Sequence, residues 1–237
     1  MHPNNTEQPD ILYEDNHLII ANKAPGVPVQ GDRSGDTALL EIVRQYVKVR
    51  YNKPGNVFLG LVHRIDRPVS GAVIFARTSK ALERLNRMMR ERRIRKTYHA
   101  VVEGIPAPSQ GTLIHYLRKN PRNNKTTVFP RPTPGAKEAI LHYRVLARGD
   151  RYALLEIDLE TGRHHQIRAQ LAKTGHPVKG DLKYGAKRSN PFPGIMLHAR
   201  HLSFEHPVQK TALNIVAPYP AGHWDWIRHF EPVDDDF

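Results

Sequence analysis

Glu138 to Glu160 read EAILHYRVLARGDRYALLEIDLE. Two extended runs, Glu138 to Ala147 and Arg151 to Glu160, flank Gly149-Asp150, a dipeptide suited to a two-residue hairpin turn. One hairpin is marginal alone and needs further strands. The flanking sequence supplies them. Tyr98 to Glu103, Gly111 to Arg118 and Lys125 to Phe129 read extended before the hairpin, and Ile195 to Phe204 and Thr211 to Val216 after it. Nearer the start, Ile11 to Glu14 and His17 to Asn22 read as short strands around Asp15-Asn16, ended by the Pro and Gly of Lys23 to Gly26. Leu59 to His63 and Ala72 to Ala76 are strands flanking a tight loop.

Helices are fewer. Thr37 to Tyr51 carries Leu39, Leu40, Val43 and Val47 at helical spacing, with Asp36 as N-cap. Ser79 to Arg92 has Leu82, Leu85, Met88 and Met89 as an apolar stripe, with Ser79 placed to cap it. His164 to Thr174 is ended by Gly175 and Pro177, and His223 to Phe230 is a short terminal helix. Neighbouring strands with short turns and few helices make an α+β fold, a mainly antiparallel mixed sheet with flanking helices. Residues 11–237 read as a single domain behind a polar tail, residues 1–10. Pro130 to Pro134 is too short for a linker.

Lys and Arg outnumber Asp and Glu by 36 to 23, a net charge of +13. That excess favours a polyanion, because Lys and Arg that neutralise phosphates release condensed counterions. From Lys80 to Lys96 there are eight Lys or Arg against two Glu, either a solvated face or one that tracks phosphates. No Trp- or Leu-rich basic segment suits a membrane surface, and no apolar run approaches the length of a span. Met1 to Asp10 has no signal-peptide core. Cys is absent, which removes disulfides and thiolate metal sites and agrees with a reducing compartment such as the cytoplasm. Phosphate-loop, dinucleotide, nucleophile-elbow and zinc-protease motifs are missing. His164 and His165 are adjacent, so they point to different faces of a helix and do not easily share one metal ion.

Three blocks remain. In His63-Arg64-Ile65-Asp66-Arg67-Pro68-Val69-Ser70-Gly71 a carboxylate stands between two Arg, which favour its ionised form, the form a nucleophile or base needs. The same pattern also fits a surface ion-pair loop. In Lys96-Thr97-Tyr98-His99-Ala100-Val101-Val102-Glu103-Gly104 an aromatic among basic residues suits base stacking, or equally a strand Tyr packed in a core. In Thr161-Gly162-Arg163-His164-His165-Gln166-Ile167-Arg168, Arg168 follows an apolar residue by about 100° of helix. It is placed to flank the core and meet a bidentate partner such as Asp66, or to lie in solvent.

Together the blocks resemble the RluA-type pseudouridine synthases, whose pattern runs H-R-[LI]-D-x-x-[TV]-S-G, K-x-Y-x-A-x-V-x-G and T-G-R-x-H-Q-I-R in this order. Asn22-Lys23-Ala24-Pro25-Gly26 is similar to the family's opening segment, and Leu197-His198-Ala199-Arg200-His201-Leu202 with His206-Pro207 to its closing one. The resemblance covers roughly residues 11–217. Ile65 and Val69 replace the commoner Leu and Thr, and Ala24-Pro25 reverses the usual order. None of these departures touches a proposed reacting group.

The resemblance implies a pseudouridine-synthase-like catalytic domain without the small N-terminal RNA-binding domain that some members carry. It implies an isomerase that cleaves a uridine's N-glycosidic bond, turns the uracil and rejoins it through C5, with no cofactor and no metal. Asp66 acts at the sugar, attacking C1′ or removing a C2′ proton. Arg168 holds Asp66 ionised, and Tyr98 stacks on the uracil. Ile195 and Leu197 line the base pocket, and Arg64 fills the space of the extracted base. Lys23, Arg67, Arg84, Arg87, Arg90 and Arg163 are the candidates for RNA contact. The partner is RNA, as a ribosomal or transfer RNA stem-loop, met by a cytoplasmic monomer with no membrane role. A non-catalytic RNA-binding protein on the same scaffold and an enzyme for a small anionic metabolite are the rival readings.

Overall fold

The computed structural model describes residues 8–32 and 34–233. Most of the expected tail, residues 1–7, lies outside the described residues. The elements in chain order are β1 (Asp10–Glu14), β2 (Leu18–Lys23), α1 (Leu39–Arg50), β3 (Gly60–Leu61), β4 (Ser70–Ala76), α2 (Ser79–Arg90), β5 (Arg95–Glu103), β6 (Gln110–Asn120), β7 (Lys125–Phe129), β8 (Lys137–Arg148), β9 (Tyr152–Leu159), α3 (Gln166–Lys173), β10 (Leu197–Glu205), β11 (Ala212–Val216) and β12 (Glu231–Pro232). They divide between two compact units, one running to Arg95 and including Ala199–Pro218, the other comprising Lys96–His198 and the chain from Tyr219 on.

In the first unit β1 pairs β2 and β2 pairs β4, both antiparallel, with β3 on β4 and β11 on β10. Every residue of β4, SGAVIFA, is buried, as an unbroken apolar run requires. Gly71 opens it at φ +113°, where a Cβ would stand 2.4 Å from the carbonyl oxygen of Ala199. Only glycine fits there. Ala81, Leu85 and Met88 of α2 pack on Ile20, Ile74, Leu202 and Phe204 to form the core. Both expected caps move. Thr78, not Ser79, caps α2, its hydroxyl accepting from Ala81 N–H. Ala38 begins α1 with no side-chain cap, because Asp36 accepts instead from Arg67. The basic run from Lys80 to Lys96 is not one helix either. α2 stops at Arg90, Arg92 turns to φ +57°, and β5 starts at Arg95.

In the second unit β5, β9, β8, β6 and β7 follow one another as antiparallel neighbours, and β12 adds to β8. The hairpin read first in the sequence is β8–β9. Its turn centres one residue later than expected, on Asp150-Arg151, closed by Gly149 N–H donating to Tyr152 O at 2.9 Å. The register slips between Val145 and Ala147, a bulge that alternation alone does not reveal. The expected terminal helix shortens to a 3-10 turn, Asp225–His229. Among the described residues no helix is long and apolar enough to cross a membrane.

Candidate active site

Asp66 lies in the first unit, on the connection from β3 to β4. It is half-buried and flanked by buried Ile65 and Val69. Its carbonyl accepts from Val69 N–H at 3.0 Å, closing a turn over Arg67-Pro68. The turn is clamped from outside. Arg67 N-ε donates to Gly26 O at 2.9 Å, its guanidinium pairs with Asp36, and it lies 3.7 Å from Asp32. Gly26 N–H donates back to Arg67 O at 2.9 Å. Arg67 therefore has its charge answered within the unit, although its side chain stays exposed. Arg64 is exposed beside Asp66.

Lys23, also expected to contact RNA, is enclosed. It is 1% exposed, and its ammonium donates to the carbonyls of Ala24, Val27 and Arg67 at 2.9, 2.8 and 3.0 Å. Three N–H groups meet three acceptors, so none is left for a phosphate. Burial pulls its pKa down to about 7, while Asp66 pushes it up and Arg67 lowers it further. Lys23 is thus an internal tie of the Asp66 turn, binding the end of β2 to that turn's backbone. Lys23→Met keeps the bulk and strands the carbonyls. At roughly 1–3 kcal/mol for each group left unsatisfied, partly relieved by water, a loss of about 2–3 kcal/mol is expected. Urea unfolding measures it. A variant as stable as wild type would show that the three bonds do not hold the turn.

Of the helix arginines, Arg84 is half-buried and donates to Pro207 O at 3.2 Å, which limits it as a phosphate contact, whereas Arg87 and Arg90 are exposed. The closing His-Pro segment is structural. Buried His206 accepts at N-δ1 from Val208 and Gln209 N–H, so its proton stands on N-ε2, 2.9 Å from Asp15.

Tyr98 and Arg168 lie in the second unit. Tyr98, on β5 opposite Ile157, is 8% exposed. Ile195 and Leu197 are buried, at 5% and 3%. Arg168 sits on α3, a helix whose first six residues are all buried. Its N-ε and N-η2 donate to the two oxygens of Asp181 at 2.6 and 2.9 Å, and its guanidinium stands 5.1 Å from the Tyr184 ring. Of the two readings left open, the solvated helix Arg is excluded. His165 starts the helix at φ +51° and shares its N-δ1 with Tyr184 O-η at 2.8 Å. Burial, reinforced by Arg168, pushes its pKa down to about 2, so it is a neutral structural imidazole.

The sequence reading missed Asp181, Tyr184, Gln166 and Gln170. Gln166 O-ε1 accepts from the Thr161 hydroxyl and Arg163 N–H at 2.8 and 2.9 Å, which shapes the Thr-Gly-Arg turn. Gln170 N-ε2 donates to Leu113 O and Ala139 O at 3.1 and 3.2 Å. Two glutamines four apart, with Ile167, Ala169 and Leu171 between and after them, were the available signal. Arg163 is exposed, its N-ε donating to Glu138 O at 2.8 Å. Among the described residues no three His, Asp or Glu side chains group to hold a metal ion.

Comparison with known proteins places these features in a family. The pattern that defines the RNA pseudouridylate synthases matches residues 17–173. An uncharacterized RNA pseudouridine synthase of Synechocystis is 36% identical over 94% of this chain and 67% of its own length. A ribosomal large subunit pseudouridine synthase C of Buchnera aphidicola is 34% identical over 88% of this chain and 66% of its own. The chain thus spans about two thirds of the length of these relatives. Among solved structures, the human RNA pseudouridylate synthase domain containing 4 superposes with a TM-score of 0.79 at 23% identity, covering 95% of each chain.

Proposed function

Because the chain belongs to the RNA pseudouridylate synthase family, we propose that it isomerises uridines in structured RNA, with Asp66 as the reacting carboxylate. The observation that carries the residue assignment is the Asp66 turn. A carboxylate residue is set on a backbone fixed from below by buried Lys23 and from outside by Arg67. That is the pre-organisation a reacting group needs. Asp66 acts at the sugar of the target uridine. Tyr98 faces the uracil, and Arg168, held by Asp181, belongs with it to the reacting set. Ile195 and Leu197 belong to the apolar side of the base pocket. Arg64, exposed beside Asp66, occupies the space left by the extracted base, and Arg87, Arg90 and Arg163 meet phosphates.

Ribosomal RNA is the first substrate to test, since relatives carry that activity in their names; transfer RNA is the second. The two units act as one catalytic domain, and the protein works as a cytoplasmic monomer. The test is to incubate the purified chain with unmodified ribosomal RNA and count pseudouridine in the digested nucleosides. Formation of pseudouridine supports the reading. Tight RNA binding by the folded chain with no pseudouridine on any RNA would favour a non-catalytic binder. The charge of +13 carries a further expectation. Four to six phosphate contacts on single-stranded RNA, at about −0.7 each, give a slope of log affinity against log salt of roughly −3 to −4. A slope near zero in a filter-binding titration would instead point to a small anionic metabolite.

A further inference from the structure

From Leu113 to Lys137 the second unit holds no Asp or Glu, but it holds Arg118, Lys119, Arg122, Lys125, Arg131 and Lys137. The chain as a whole has 23 acids in 237 residues, so an acid-free run of this length with six cations is a distinct feature. The β6, β7 and β8 strands bring two of these cations, Lys119 and Lys137, to one face. Lys119 lies opposite Thr126 in the β6–β7 register, and Leu117 lies opposite Lys137 in the β6–β8 register. Leu117 and Lys119, two apart on β6, project to the same side. Lys119, Thr126 and Lys137 thereby line one cavity of about 420 Å³, joined by Arg118 and Arg163.

This cavity is built rather than merely charged. Arg163 is pinned by its N-ε to Glu138 O at 2.8 Å, and Arg118 by N-η1 to Pro134 O at 3.1 Å with its guanidinium 4.9 Å from the Phe129 ring. The Arg163 anchor uses one of five guanidinium N–H groups, so Arg163 keeps donors for an anion, whereas the Arg118 guanidinium lies over Phe129 on the other side of β6. Glu138 follows Lys137 on β8 and projects to the other side of the strand. The one ring on the cavity wall, His164, is stacked on His165 at 3.7 Å and bonded to Thr126 and Asn124. One face of that ring is covered and its nitrogens are engaged, so the wall is dominated by Lys119, Lys137 and Arg163 rather than by a stacking platform. Such a wall fits the backbone.

We propose that this cavity binds two neighbouring backbone phosphates of the RNA substrate. The proposal rests on RNA being the substrate, and it adds Lys119 and Lys137 to the residues that meet it. It makes the β6–β7 hairpin a point of RNA contact in the second unit.

The test compares the full chain with Lys119→Gln/Lys137→Gln and with the control Lys48→Gln/Lys53→Gln. The control removes the same charge from exposed positions in and just after α1. Binding of a fluorescein-labelled RNA stem-loop of about 20 nucleotides, a size that presents one loop and a short stem, is followed by anisotropy through a salt titration. Thermal unfolding verifies that each variant is folded. The cavity variant is expected to bind about tenfold more weakly, with a salt slope shallower by about 1.4, two contacts at about 0.7 each. Lys137→Gln alone should give about half that change in slope. The control should match wild type.

Equal losses in both double variants would overturn the proposal in favour of bulk charge, and no loss in the cavity variant would overturn it outright. Inorganic phosphate and uridine monophosphate are titrated in parallel. If the cavity variant loses these small anions but keeps its RNA affinity, the cavity is a small-anion site and the proposal fails. Pseudouridine formation by wild type is scored alongside. If wild type forms none while the cavity variant still loses RNA, the enzymatic reading falls and the contact stands.

Discussion

Asp66→Asn is expected to lower the rate of pseudouridine formation at saturating RNA by about a thousandfold or more, the scale on which a reacting acid–base group or nucleophile is lost. The amide has nearly the carboxylate's shape but neither its charge nor its basicity. The fold should survive, because the turn is held by backbone bonds and by other side chains. Asp66 O accepts from Val69 N–H, Lys23 donates to Arg67 O, and Arg67 pairs with Asp32 and Asp36. RNA affinity should stay near wild type for the same reason. Single-turnover kinetics at saturating enzyme separates the two effects. A variant that turns over at near the wild-type rate would remove Asp66 from the chemistry. One that fails only by losing RNA affinity would make it a binding residue.

Asp181→Ala should destabilise the chain by about 3–5 kcal/mol, the usual result of removing one partner from a buried ion pair. The Arg168 and Asp181 side chains are 5% and 1% exposed and share two hydrogen bonds. Truncating the carboxylate leaves a guanidinium inside the second unit without its bidentate acceptor. The melting temperature should fall by about 10 °C for a chain of this size. Asp181→Asn keeps one acceptor and should lose less. If Asp181→Ala unfolds within about 1 kcal/mol of wild type, then Arg168 is held by its remaining contacts rather than by this pair.

Much of the sheet was legible because strands and turns carry local signals. The two extended runs around Gly149-Asp150 announced β8 and β9, and Ala72 to Ala76 announced β4 beside the tight loop. The misplacements arose where a distant residue decided the local outcome. Asp36 has the chemistry of an N-cap but is taken by Arg67, 31 residues away. Lys23 carries a charge that the sequence displays, whereas its burial under three carbonyls depends on how β2 meets the Asp66 turn. Arg168 could be placed at the edge of a core by helical spacing. Its partner Asp181 could not, because it lies in an irregular segment with no periodicity to fix its direction. Around the proposed site, the tight loop that carries Asp66 was readable, and the side chains that hold it were not.

The most direct test is pseudouridine mapping of total RNA from cells with and without this chain, with the absent chain restored as wild type or as Asp66→Asn. One or more uridines should be converted in cells carrying the wild-type chain, remain unconverted when it is missing, and stay unconverted when only Asp66→Asn is supplied. Identical maps in all cells, or full restoration by Asp66→Asn, would contradict the account.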